Sequence, residues 1–272
     1  PQWFKGLELG AGKFKNTFYH SDMMWDSDVN PEGVYEFYRH EGSEVFQPFV
    51  HLGQMVVNEN NYDPDAALYI SQAGFVARVG RVHWTLGGSY YSWSNLQSSK
   101  WLHKAEYKGT GGNTFVAGPD GSVRYAYEFK IWEAFSQIDF KIASIPFKIM
   151  LDYVVNTADH VPGDEDSGYF GSVQLGKDKD KGDISLYYKY ARIEKNAVVG
   201  SLNDQDFYGA NRKGHKLALK YVLFSNISLR TALFYTDPVT RWEPSSPTFG
   251  SPYNDRYRMH ENRLQVDFLF KF

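Results

Sequence analysis

The sequence predicts an all-β fold: a transmembrane, up-and-down antiparallel β-barrel with about twelve strands in this chain, forming one domain over residues 1–272. Three observations lead there. Period-two segments recur along the chain, and no stretch has convincing helical periodicity. The connections between those segments alternate between short and long. The last segment, 262–272, places Leu264, Val266, Phe268, Phe270 and Phe272 on one face, and Arg263, Gln265, Asp267, Leu269 and Lys271 on the other. A tilted strand of about 9–11 residues crosses a bilayer, and this segment has that length. A sandwich in water can show the same alternation, so one strand alone does not decide between them.

Composition narrows the field. The chain holds 20 Tyr, 20 Phe and 7 Trp, which suits strands and the aromatic girdles of membrane barrels. Mean hydropathy is -0.49. No apolar run approaches the length of a membrane helix; the best, 149–155, is interrupted by Asp152. That excludes a helical membrane protein but not a barrel, whose interior residues dilute the lipid-facing ones. Cysteine is absent, so there is no disulfide framework and no thiolate metal site. A net charge of -3 argues against nucleic acid as a partner.

Taken in order, strands are expected near 5–14, 33–39, 45–57, 66–78, 82–93, 128–142, 146–156, 168–177, 183–194, 213–223, 226–236 and 261–272. The gaps 40–44, 79–81, 143–145, 178–182 and 224–225 are short, and 15–32, 94–127, 157–167, 195–212 and 237–260 are long. Residues 58–65 fall in the same alternation. Counting back from the C-terminus, every long gap lies on one side, as external loops do in an outer-membrane barrel with short periplasmic turns. A sandwich has no reason to keep that rhythm.

The strand faces agree over the C-terminal half. Segment 128–142 sets Glu133, Phe135, Gln137, Asp139 and Lys141 opposite Trp132, Ala134, Ile138 and Phe140. Segment 146–156 sets Lys148 and Asp152 opposite Phe147, Ile149, Leu151 and Tyr153. Segment 213–223 sets Lys216 and Lys220 opposite Leu217, Leu219 and Tyr221, and 226–236 sets Arg230 opposite Leu229 and Leu233. A mid-strand Lys or Arg facing lipid costs roughly 2–4 kcal/mol, so these charges are expected to face a wet interior. Segments 45–57 and 66–78 alternate less cleanly, and their faces stay unassigned.

Several segments carry a resemblance. Residues 12–18 (GKFKNTF), 25–33 (WDSDVNPEG), 87–95 (GGSYYSWSN), 152–157 (DYVVNT), 197–207 (AVVGSLNDQDF) and 213–217 (KGHKL) resemble the putative porin family of Gram-negative bacteria, in the same order. The resemblance implies a barrel in the bacterial outer membrane that passes small hydrophilic solutes or ions by diffusion. It implies no catalytic residues and no cofactor. The implied partners are the lipid bilayer, the outer-membrane insertion machinery and the solutes, with a homo-oligomer such as a trimer left open. Family members often carry further strands upstream, so the native chain is expected to be longer. The terminal Phe272 resembles the end that the insertion machinery reads, and its removal is expected to impair insertion.

Other sites read poorly. Residues 10–13 (GAGK) hint at a phosphate loop, but Leu7 stands where its first Gly belongs and Phe14 where its Ser or Thr belongs. The eight His show no zinc spacing. Asp164, Glu165 and Asp166, and the pair Asp63 and Asp65, lack the EF-hand register and read as solvated loop charge. Residues 226–228 (NIS) read as turn chemistry, and 177–182, which alternates in charge sign, reads as a polar turn.

The residues expected to line the interior are Glu133, Asp139, Lys141, Lys148, Asp152, Lys189, Lys216, Lys220, Arg230, Arg263, Asp267 and Lys271. This wall is basic, which predicts a weak anion preference unless acidic loops fold inward. A diffusion porin is the leading expectation. The alternative is a structural barrel, a sleeve that encloses a partner without open-pore transport. No motif sets out a nucleophile, base and orienting group, so the chain is not expected to be an enzyme.

Overall fold

The computed structural model describes residues 5–59, 64–98, 111–117, 123–207, 209–240 and 260–271. Asp63 and Phe272 lie outside them, as does much of the 237–260 connection.

Twelve strands form a single sheet: β1 (Leu7–Lys13), β2 (Glu32–Arg39), β3 (Phe46–Asn58), β4 (Ala66–Val79), β5 (Val82–Ser94), β8 (Lys130–Ile142), β9 (Ile145–Asn156), β10 (Ser167–Gly176), β11 (Ile184–Ile193), β12 (Arg212–Phe224), β13 (Ile227–Pro238) and β14 (Glu261–Phe270). Each pairs antiparallel with the next, so the sheet follows chain order throughout. Between β5 and β8 a small hairpin, β6 (Phe115–Ala117) and β7 (Val123–Tyr125), forms a second sheet within the longest loop. Sequence periodicity did not reveal it, because three-residue strands are too short to establish a period. The ladder runs from β1 to β14, with no β1–β14 pairing among the described residues.

Strand bounds fall within about two residues of the expected ones, and the long connections all lie at one end of the sheet. The alternation holds because mid-strand polar residues and their apolar neighbours face opposite ways. In β12, Lys216 and Ala218 are buried while Leu217 and Leu219 are exposed on the outer face. In β14, Leu264, Val266, Phe268 and Phe270 are all outward and exposed. The register carries this across strands, with Leu217 opposite Leu233 and Leu233 opposite Leu264. Wide aromatic bands sit on the same outer face, among them Tyr90 against Trp132 and Phe75 against Trp84.

The faces of β3 and β4 are settled by the structure. Phe49, His51, Gly53 and Met55 point inward with Leu68, Ile70, Gln72 and Val76, while Val50, Leu52, Gln54 and Val56 point outward. Both faces are rich in apolar residues, which is why their alternation is hard to read.

Candidate functional site: a plugged, charged interior

The interior is not an empty tube. The connection 14–31, between β1 and β2, turns inward and packs Phe18, Met23, Met24 and Trp25 at 5% exposure or less. These side chains meet Tyr35, Met55, Leu68, Ile70, Tyr91 and Trp93 in one apolar cluster. Burying each such side chain contributes about 1.5–3 kcal/mol. Phe18 stacks on His51 at 3.7 Å between ring centroids. It fits because position 53 is glycine: a Cβ there would come within 2.8 Å of the Phe18 ring. The segment thus serves as a plug seated on the N-terminal wall.

The connection 194–211 enters from the other side. Ala197, Val198 and Val199 are buried, as are Phe207 and Ala210. It clasps the plug through the backbone, with the Asp26 N–H donating to Leu202 O at 2.7 Å and the Asp204 N–H to Asp22 O at 3.0 Å. It also joins the β6–β7 loop, where the Asn113 side chain donates to Val198 O at 2.7 Å and accepts from the Gly200 N–H at 2.8 Å. Gly111 and Gly200 approach so closely that a Cβ on Gly200 would overlap the Gly111 carbonyl. These contacts join the described parts of the three loops to one another at the loop end of the interior.

Where plug and C-terminal wall meet, the contacts are ionic. Lys189, 1% exposed, lies 2.6 Å from Asp204 and 3.3 Å from Asp22. Lys216 lies 3.6 Å from Asp204, and Arg263 lies 3.6 Å from Asp206. Aromatic faces back these cations: Lys189 is 4.7 Å from the Phe207 centroid, and Lys216 and Arg263 flank Phe234 at 4.9 and 4.2 Å. Burial alone would push the Asp204 carboxyl up, but Lys189 and Lys216 outweigh it and hold it below the usual carboxylate range. On the plug, burial holds His20 below the usual imidazole range, against its hydrogen bond to the Ser21 carbonyl and the charge of Asp22.

Deeper in the wall sits a pair of carboxyl groups. Glu133 accepts from Ser89 at 2.6 Å and Tyr91 at 3.1 Å, and Asp152 accepts from the plug's Ser21 at 2.5 Å. Gln72 completes the network, donating to Ser89 at 2.8 Å and to the Tyr19 carbonyl at 2.7 Å. Glu133 and Asp152 are 3% and 4% exposed, and one oxygen of each lacks a hydrogen-bond donor. Leaving these oxygens without donors in a buried setting is costly.

Below the plug the interior opens. A cavity of about 790 Å³ is lined by Asp22, Asp26, Asp28, Asp178, Asp204 and Asp206, and by Lys216, Lys220 and Arg230. A second cavity of about 630 Å³, at the turn end, is lined by Arg81, His83, Asp139, Lys141 and Lys148. The two share Gln174 and Asp178.

The twelve residues expected to face inward divide among these settings. Glu133 and Asp152 form the buried pair, and Lys189, Lys216 and Arg263 bind the loop acids. Lys220 is held by Asp178 at 3.0 Å, and Arg230 lines the larger cavity without an ionic partner among the described residues. Asp139, Lys141 and Lys148 line the smaller cavity, with Asp139 held by Gln137 at 2.6 Å. Asp267 accepts from Gln265, and Lys271 lies past the end of β14 at the turn rim. The sequence reading missed the plug acids Asp22, Asp26 and Asp28 and the loop acids Asp204 and Asp206. A usable clue was present: Met23, Met24, Trp25 and the run 197–199 are too apolar for loops exposed to water.

Residues 2–114, less than half of the chain, match the family described as Putative porin. The sheet carries an apolar exterior around a charged interior. Among solved structures the chain is similar to the outer membrane channel DcaP of Acinetobacter baumannii, at 14% identity and a TM-score of 0.48, over 97% of this chain and 71% of that one. It is also similar to OmpT, an outer membrane protein of Vibrio cholerae, at 14% identity and a TM-score of 0.46, over 84% of this chain and 65% of that one. No curated protein matches it.

Proposed function

We propose that this porin-like barrel is a passive diffusion channel for small hydrophilic solutes and ions. The observation that carries the reading is the charged cavity of about 790 Å³ beneath the plug, inside an apolar exterior. Its neighbour at the turn end shares two lining residues with it, which marks a wet route toward that mouth. Wall and plug together also set the expected selectivity. The wall alone is basic, but six acids and three bases line the larger cavity. The loop acids therefore reverse the sign expected from the strands, and a weak cation preference follows, strongest at low salt. Planar-bilayer recording under a KCl gradient tests this: the expected result is conductance with a cation-directed reversal potential.

A second reading is a sleeve or closed structural barrel. It is favoured by the dry packing at the loop end, where Leu96, Phe129, Val198 and Phe207 are all buried. Purified, partner-free protein that inserts and gives no conductance would decide for it.

A further inference from the structure

We infer that the larger interior cavity is a binding site for a small zwitterion of net positive charge, of the basic amino-acid type. The inference rests on the diffusion reading for how the solute arrives, but the site itself is argued from charge. Four anions at the cavity are neutralised in place: Asp22 and Asp204 by Lys189 and Lys216, Asp206 by Arg263, and Asp178 by Lys220. Four carboxylates meet four cations in these contacts, and that part of the site is complete.

What remains is uncompensated. Asp26 spends one carboxylate oxygen on the Asp28 N–H at 3.0 Å, and neither acid has an ionic partner among the described residues. Arg230 projects from the wall into the same cavity, also unpartnered. Its register neighbour Asp267 is engaged by Gln265. The surplus is thus two carboxylates on the plug and one guanidinium on the wall. A ligand that neutralises it carries cationic groups toward the plug and one carboxylate toward Arg230, which can grip it in a bidentate fork. The cavity's volume lies within the usual range for small-molecule sites. Because the acids stand on a loop and the guanidinium on a strand, the ligand also bridges plug and wall.

The test uses L-lysine and cadaverine, which is lysine without the carboxylate, titrated calorimetrically into the folded, detergent-solubilised full chain. Wild type is expected to bind both saturably. The double variant Asp26→Asn/Asp28→Asn is expected to weaken both by about tenfold or more. Arg230→Gln is expected to weaken lysine by about tenfold and leave cadaverine unchanged. Asp28→Asn alone, which removes an exposed carboxylate, provides a gentler variant should the double one fail to fold, with a loss of about threefold. No saturable lysine binding by folded wild type overturns the proposal. So does equal lysine affinity in wild type and the Asp variants, or an Arg230→Gln that weakens both ligands alike. Bilayer recording on the same preparation separates the two readings. Conductance without binding removes the site and keeps the channel; binding without conductance removes the channel and keeps the site.

Discussion

The two walls of this barrel hold the same plug by opposite means. On the N-terminal side, β2 to β5 present Tyr35, Met55, Leu68, Ile70 and Trp93 inward, and the plug answers there with Phe18, stacked on His51. On the C-terminal side, β11, β12 and β14 present Lys189, Lys216 and Arg263, and the loops answer with Asp22, Asp204 and Asp206. Apolar burial responds little to salt or pH, while ion pairs respond to both. The plug is therefore expected to have a permanent seat on one wall and a condition-dependent latch on the other.

The sharpest break of this comparison is at Lys189. Lys189→Met removes the cation from between Asp22 and Asp204 and leaves both charges under-compensated in a buried site. A loss of about 3–5 kcal/mol is expected, measured by thermal unfolding of the folded barrel. On the opposite wall, Phe18→Ala, which removes the ring stacked on His51, leaves a cavity and should cost about 3–5 kcal/mol. That cost should be the same at neutral and at acid pH, whereas the Lys189 effect should shrink as its partner Asp204 is protonated. If both losses follow pH alike, the division between the walls is wrong.

Acid sharpens the comparison further. The Asp204 carboxyl titrates below its usual range in the folded protein. Its contribution is thus fully present above the unfolded value of about 3.9 and is lost as pH falls through the lower folded value. Fluorescence of Trp25, buried on the plug, should report release of the latch only in that acid range, and Asp204→Asn should flatten the response. The smallest effect is expected at the turn end, where Lys148 lies 3.9 Å from Asp139 with both side chains over a third exposed. Lys148→Ala should change stability by less than about 1 kcal/mol.

The fold was legible because its determinants are local. Period-two alternation and turn chemistry located every strand of the main sheet, and the faces of β12 to β14 could be read because charge and Leu, Val or Phe alternate there. The faces of β3 and β4 could not. Their inward side is apolar because it receives Phe18, and that partner is remote in sequence. The candidate site was half legible for the same reason. Lys189, Lys216 and Arg230 could be placed inside from strand parity alone. Asp22 and Asp204 could not, since no local pattern states which loop turns inward. Only the apolar content of 23–25 and 197–199 hinted at it.

The plug has one more consequence, for the order of events during assembly. Residues 14–31 are made early, yet Asp22 waits for Lys189, 167 residues downstream. Ser21 waits for Asp152, 131 residues away. Contacts across such separations form late, because loop closure comes before any of their reward. The connection between β1 and β2 is thus seated only after strands far downstream of it have been made, and the growing sheet must pass through a stage in which Met23, Met24 and Trp25 have no pocket. A chaperone that met the unfinished chain would meet it with those three residues exposed, and the seated plug would record that β11 and β12 had arrived.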